Sequence, residues 1–279
     1  MTGARIVAAT DRDLVNLQPL AEAVFADPVA TPAELLTAAA GRDPQWFRRK
    51  LVREAVDPHL SSLALGTGDE PIGYMLVGAG DRVTGVTHGA GLGLLPAWRG
   101  QGLGPALIEA TAVRLQAAGI SAVRLLADPH HHTFYRRLGF VEVAQQQTLG
   151  ATGTGAADVD LGSHPPRPWS LPGASHTQWS AGTWERTTSR RATLQLGDHA
   201  WAHLSREGRA VLVHRLCLVH RLGLAAQPTA TLHELRSRFA SRTPVLLYGC
   251  DPVSCVTVTA LATGWQVLQH AHVMERRFW

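Results

Sequence analysis

Three features of the sequence predict two domains of α/β (α+β) type, the first built on a mixed, mostly antiparallel sheet flanked by helices. Short apolar runs bounded by turn residues alternate with runs of helical spacing through the first half. A glycine-rich turn, Arg99 to Gly104, follows a long strand-type run and feeds a helix-type run. The order of these later elements then recurs in the second half. A chain of 279 residues is long for one domain of about 100–150 residues and comfortable for two.

Each element has its own signal. Arg5 to Ala9 reads as a strand, followed by a helix with Leu14, Leu17, Ala21 and Val24 on one face. Thr31, Pro32 and Glu34 resemble an N-cap, a first-turn proline and a capping-box acid, opening a second helix. Trp46, Phe47, Lys50, Leu51 and Val52 mark a third, ending before Asp57-Pro58. Ser62 to Leu65, Ile72 to Val77 and Val83 to Leu95, separated by turn residues, read as an antiparallel meander. After the glycine-rich turn, Pro105 can open a helix through Ile108, Ala112 and Leu115, with Gly119 as its C-terminal cap. A strand at Ala122 to Ala127, a short helix at Thr133 to Leu138 and a strand at Val141 to Gln147 complete the first half.

From about Gly150 to Pro172 the composition shifts to Gly, Thr, Ala, Pro and Ser, which reads as a linker or a strand-poor crossing. The expected domains are therefore 1–149, a linker 150–175 and 176–279. In the second half, strands at Ala192 to Leu196, Ala200 to Leu204 and Ala210 to Val219 precede a helix through Leu232, Leu235 and Phe239 and a strand at Val245 to Tyr248. Asp128-Pro129 has a counterpart in Asp251-Pro252, and Leu138-Gly139-Phe140 in Thr263-Gly264-Trp265. A divergent internal duplication accounts for this parallel.

Composition narrows the class of function. No apolar run reaches the roughly 18 residues of a membrane span, and the N-terminus has no secretory pattern, so a cytoplasmic location is expected. Cys217, Cys250 and Cys255 form no C-x-x-C pair and read as buried thiols rather than disulfides or zinc ligands. The formal charge of +4 is carried almost wholly by arginine, with Lys50 the only lysine, a bias expected of a GC-rich bacterial genome. No basic block or aromatic-interleaved stripe points to nucleic acid. His130, His131 and His132 are neighbours on a turn with no second cluster in the sequence to complete an ion site, so no metal is expected.

The chemistry concentrates at Leu94 to Gly104. Glycines at 100, 102 and 104 let several N–H groups converge, and the start of the following helix adds partial positive charge, which together suit a pyrophosphate. Arg99-x-x-Gly102-x-Gly104 resembles the R/Q-x-x-G-x-G/A loop of the GNAT superfamily of acyl-CoA N-acyltransferases. Pro96 before the arginine, the helix after it and the segment Phe134-Tyr135-Arg136-Arg137-Leu138-Gly139-Phe140 resemble that family's motifs in order and spacing over about residues 60 to 145.

The resemblance implies acetyl-CoA as cosubstrate, held by Leu92, Leu94, Arg99, Gly100, Gln101, Gly102, Leu103 and Gly104, with the strand at Leu92 to Leu94 pairing with the pantetheine arm. It places Tyr135 as general acid for the departing thiolate, with a packing role as the alternative. His88 stands where the family often has a carboxylate base. A neutral imidazole can take a proton near neutral pH, and a solvent-facing or structural histidine is the alternative. Asp128 stands where the family often has asparagine. The second half's counterpart of the loop, Arg221 to Ala226, keeps one glycine, so that copy is expected to be degenerate, as in tandem GNAT proteins including the mycothiol synthase group. The implied activity is N-acetyl transfer to a small-molecule or peptide amine, with Trp46, Phe47 and Asp27 as acceptor-contact candidates. A non-catalytic acyl-CoA sensor or scaffold of the same fold is the rival reading.

Overall fold

The computed structural model describes residues 3–24, 45–79, 85–166, 190–198, 200–218 and 227–278. Its contacts divide the chain into two compact units. Unit 1 comprises Met1–Val29, Gln45–Ala144 and Ala271–Trp279, and unit 2 comprises Ala30–Pro44 and Gln145–His270. This division differs from the sequence boundaries at both ends of the second half, because Gln147 to Thr152 pair with Pro244 to Cys250 within unit 2 and His272 to Arg277 pair with Ala122 to Ala127 within unit 1. The helix expected from Thr31 lies outside the described residues.

Unit 1 opens with β1 (Arg5–Ala8), α1 (Asp11–Asn16), α2 (Gln18–Val24) and α3 (Trp46–Arg53). Thr10 and Asp13 close a capping box at the start of α1, each accepting from the other's backbone N–H. The sheet continues with β2 (Ser62–Leu65), β3 (Pro71–Val77) and β4 (Val86–Leu94) as an antiparallel meander. Next come α4 (Leu103–Ala117), β5 (Ala122–Ala127), α5 (His132–Arg137) and β6 (Val141–Thr152). β5 is parallel to β4 on one side, and on the other antiparallel to the second half of the chain's last strand, His272 to Arg277.

Helices cover both faces of this sheet. Leu107, Ile108 and Leu115 of α4 pack against Met75, Val77, Val123 and Leu125, while Leu17, Leu20, Ala21 and Phe47 of the early helices pack against Leu63, Tyr74 and Leu76. β3 is buried on both faces, which explains its unbroken apolar run where a half-exposed strand would alternate.

Unit 2 contains β7 (Arg191–Leu196), β8 (Ala200–Glu207), β9 (Ala210–Leu218), α6 (Pro228–Ser237), β10 (Pro244–Cys250), α7 (Cys255–Ala262) and the first part of β11 (Gln266–Arg277). β7, β8 and β9 are antiparallel, and β9 then runs parallel to β10 over Val211–Val213 and Val245–Leu247. Unit 1 has the same sequence of pairings, its parallel contact also spanning three residues, Val86–His88 with Ala122–Arg124.

The two short sequence matches correspond in detail. Asp128 and Asp251 each accept from the backbone two residues on, at 2.9 and 3.0 Å, at the entrance to α5 and α7. Gly139 and Gly264 follow these helices with φ of 80° and 88°. Phe140 and Trp265 are then buried at 2% and 3% exposure.

Two expectations need correction. The strand expected to stop at Gln147 runs on to Thr152, where Leu149 and Thr152 pair with β10. A side chain at Gly150 would collide with Leu268 at 2.5 Å, so glycine there marks close packing rather than a linker. Of the three cysteines only Cys217 is fully buried; Cys255 is exposed on α7, and none forms a disulfide. Among the described residues no helix is long and apolar enough to cross a membrane.

Candidate active site

The site in unit 1 begins where two strands part. β4 and β5 pair from Val86 to His88 and no further, so among the described residues Gly89 to Leu94 have no ladder partner on that edge. Leu92 and Leu94 lie on this free stretch, partly buried against the α4 core. β4 also changes register against β3 between Gly89 and Gly91, which leaves Ala90 as an extra residue in the strand.

Beyond Leu94 the chain makes a 3-10 turn, Pro96–Trp98, and reaches the N-terminus of α4. Gly100 and Gly102 hold φ of 75° and 82°, a region costly for residues with a Cβ. Gly102 is the N-cap and supplies no side-chain cap. No backbone or side-chain acceptor among the described residues takes the N–H groups of Gly100, Gln101 or Gly102. A Cβ added at Gly100 or Gly102 would meet nothing within 4 Å among the described residues, so the loop is open on that side. Backbone donors arranged in this way suit an anion, and the loop is the candidate cradle.

Arg99 is turned away from this cradle. Its guanidinium donates to the carbonyls of Leu94 at 3.1 Å and Val24 at 2.9 Å, tying the loop to the end of β4 and to α2. Gln101 similarly donates to Ala97 at 2.9 Å. Both side chains hold the loop's shape, and its backbone faces the open space.

Tyr135, on α5, packs against the same core cluster as Leu92 and Leu94. Its neighbour Phe134 packs over the start of α4, where a Cβ on Gly104 would stand 3.4 Å from the Phe134 ring and 3.8 Å from Leu94 Cδ1. Tyr135 meets Phe134 and Phe140 edge-on at 5.1 and 5.5 Å between ring centroids. Burial pushes its phenol up to about 12, so the hydroxyl stays protonated at neutral pH. The ring contacts satisfy the packing role, and the protonated hydroxyl also meets a requirement of the acid role.

His88 is held at the fork of the two strands. Its Nε2 lies 2.8 Å from the Glu54 carbonyl and 3.5 Å from Glu54 Oε2. Only a protonated Nε2 can bond a carbonyl, so the neutral ring carries its basic lone pair on Nδ1. Glycine at 78 permits the approach, since a Cβ there would fall 2.4 Å from the imidazole.

Sequence reasoning missed the partners of His88. Burial pushes the Glu54 carboxyl up, but the His88 hydrogen bond and the charges of Lys50 and Arg53 outweigh it and hold the group well below the usual carboxylate range. Lys50, lowered chiefly by burial, donates from Nζ to the carbonyl of bulge residue Ala90 at 2.5 Å. The available signal was the i,i+4 spacing of the chain's one lysine and Glu54. Phe47 is core at 2% exposure. Asp27, the Trp46 side chain and the second-half loop Arg221 to Ala226 lie outside the described residues.

Residues 61–142 match the family model of the acetyltransferase (GNAT) domain. No curated protein matches the chain. Among solved structures, a GCN5-related N-acetyltransferase from Sphaerobacter thermophilus is similar at 14% identity and a TM-score of 0.61, over 99% of this chain and 96% of that one. Another, from Kribbella flavida, is similar at 17% identity and a TM-score of 0.53, over 98% of this chain and 72% of that one. A tandem GNAT protein from the clavulanic acid biosynthesis pathway, solved without AcCoA, is similar at 12% identity and a TM-score of 0.61, over 98% of both chains. Likeness at these identities is one of fold. The chain carries a GNAT acetyltransferase domain over residues 61–142 and has the fold of a tandem GNAT protein.

Proposed function

We propose that unit 1 binds acetyl-CoA and transfers its acetyl group directly to an amine in a ternary complex. The observation that carries this reading is the parting of β4 from β5 after His88, on a strand that leads straight into the amide cradle at Gly100 to Gly102. An extended pantetheine arm pairs with Leu92 to Leu94 as an added strand would. The pyrophosphate takes the amides at the start of α4, while Arg99 acts by shaping the loop.

In the reaction the amine nitrogen attacks the thioester carbon, so that a C–N bond forms and the C–S bond breaks. The amine's proton passes to His88, directly or through water, with ionised Glu54 steadying the imidazolium that results. A β4 N–H near Leu94 supports the oxyanion. The Tyr135 hydroxyl gives its proton to the departing sulfur. A screen of acetyl-CoA turnover by thiol release against a broad amine panel tests the reading. Tight CoA binding with no turnover of any amine would favour the acyl-CoA sensor instead.

A further inference from the structure

We propose that His132, Glu142 and His272 form a binding site for one divalent transition-metal ion, with zinc the best fit. These residues come from the start of α5, the start of β6 and the unit 1 part of β11. Folding therefore supplies the second and third ligands that the run of adjacent histidines lacks in sequence. His130 and His131 stay exposed on the preceding turn and take no part.

The donor atoms already converge. His132 Nε2 lies 3.0 Å from Glu142 Oε2, and His272 Nδ1 lies 2.9 Å from the same oxygen. All three donor atoms fall within 4.8 Å of one another. Ligands about 2.0–2.1 Å from a tetrahedral zinc stand about 3.3 Å apart, so the two pairs at 2.9 and 3.0 Å are already near that spacing and the third closes by no more than about 1.5 Å. The two imidazoles are tilted by 48° with centroids 4.6 Å apart, an arrangement that avoids stacking and lets both rings aim at one point.

A second observation separates this cluster from an ordinary ion pair. His132 Nε2 is buried, and despite the 3.0 Å separation it makes no hydrogen bond to Glu142 or any other group among the described residues. A buried nitrogen this close to a carboxylate, yet not aligned to bond it, is expected where both atoms are directed at a third. Side-chain exposures of 21–30% leave a fourth position open to water. Two histidines, a carboxylate and water make up the donor set of an open zinc site. Because His132 and Tyr135 lie three residues apart on α5, a bound ion ties Tyr135's helix to β6 and β11. The site stands whether or not unit 1 transfers acetyl groups.

The test uses untagged full-length protein stripped with a chelator, titrated with Zn²⁺ by calorimetry and with Co²⁺ by visible absorption. One equivalent of Zn²⁺ and the intense d–d bands of four-coordinate Co²⁺ are expected. Glu142→Gln, nearly isosteric, and His272→Gln should each weaken Zn²⁺ binding by about 100-fold with an unchanged circular dichroism spectrum. The double variant His130→Gln/His131→Gln should bind as the parent does. Sub-stoichiometric uptake by the parent, unchanged binding in Glu142→Gln, or loss in the His130/His131 variant would overturn the proposal.

Discussion

Tyr135 and His88 occupy settings that suit opposite proton transfers. A phenol raised to about 12 by burial yields its proton only to a strong base, so its transfer must accompany C–S cleavage rather than precede it. Tyr135→Phe keeps the ring contacts and removes the donor, so kcat should fall by about 10²–10⁴-fold while the KM for acetyl-CoA changes little. Parent-like kinetics with chemistry rate-limiting would leave Tyr135 as packing. For His88, the acid-side fall in kcat/KM should disappear in His88→Gln; an unchanged profile would remove it from the mechanism.

Glu54 makes a prediction about stability. Its carboxyl titrates lower in the folded than in the unfolded chain. The unfolded state therefore takes up the proton first as pH falls, and the stabilisation is complete above the ordinary glutamate range and lost below it. Urea melts should show Glu54→Gln less stable by about 3 kcal/mol at neutral pH, a gap that stays level down to about pH 5 and narrows on further acidification. A gap independent of pH down to about pH 3 would contradict the assigned ion pairing.

At the junction of β4 and α4, loss of CoA binding and loss of stability are expected to separate. Gly102 holds a left-handed backbone, and a Cβ there would meet no protein atom within 4 Å among the described residues. Gly102→Val should cost the fold only about 1–2 kcal/mol of backbone strain but abolish CoA binding, because the added methyls fill the space before the amides. Calorimetry with CoA beside a thermal melt separates the two effects; retained affinity would place the pyrophosphate elsewhere. α7 teaches a different lesson. Val256, Thr257, Val258 and Thr259 have strand-type propensity, and no helix was expected there. Ser254 nonetheless caps the segment through Thr257 N–H at 3.2 Å, and Ala260 is fully buried, so capping and packing override propensity.

For the molecule as a whole, the path of β11 matters most. His272 to Arg277 pair with β5, and Val273, Met274 and Glu275 are buried there. Each apolar side chain so buried contributes roughly 2 kcal/mol. Deleting Ala271–Trp279 should therefore collapse unit 1 and its CoA binding, although 126 residues separate that segment from Ala144. A truncated chain that binds CoA with parent affinity would show the strand to be dispensable. The full chain should bind one CoA, in unit 1, and two sites by calorimetry would contradict the asymmetry between the two loops.

Much was legible because it is local. The Arg99 to Gly104 turn, the helix it feeds and the paired Asp-Pro and Gly-aromatic signals depend on backbone preferences within a few residues, and these are written in the chain itself. The partners of His88 were not legible. Glu54 reaches it across 34 residues, and only the crossing of α3 beneath the β4 bulge sets their distance. The same holds for His132, Glu142 and His272, which no spacing in sequence relates, and for the end of β11, whose pattern reads as a strand but names no neighbour. Strand and helix periods state which face of an element is buried. Which elements then meet is decided by burying those faces together, a property of the whole chain.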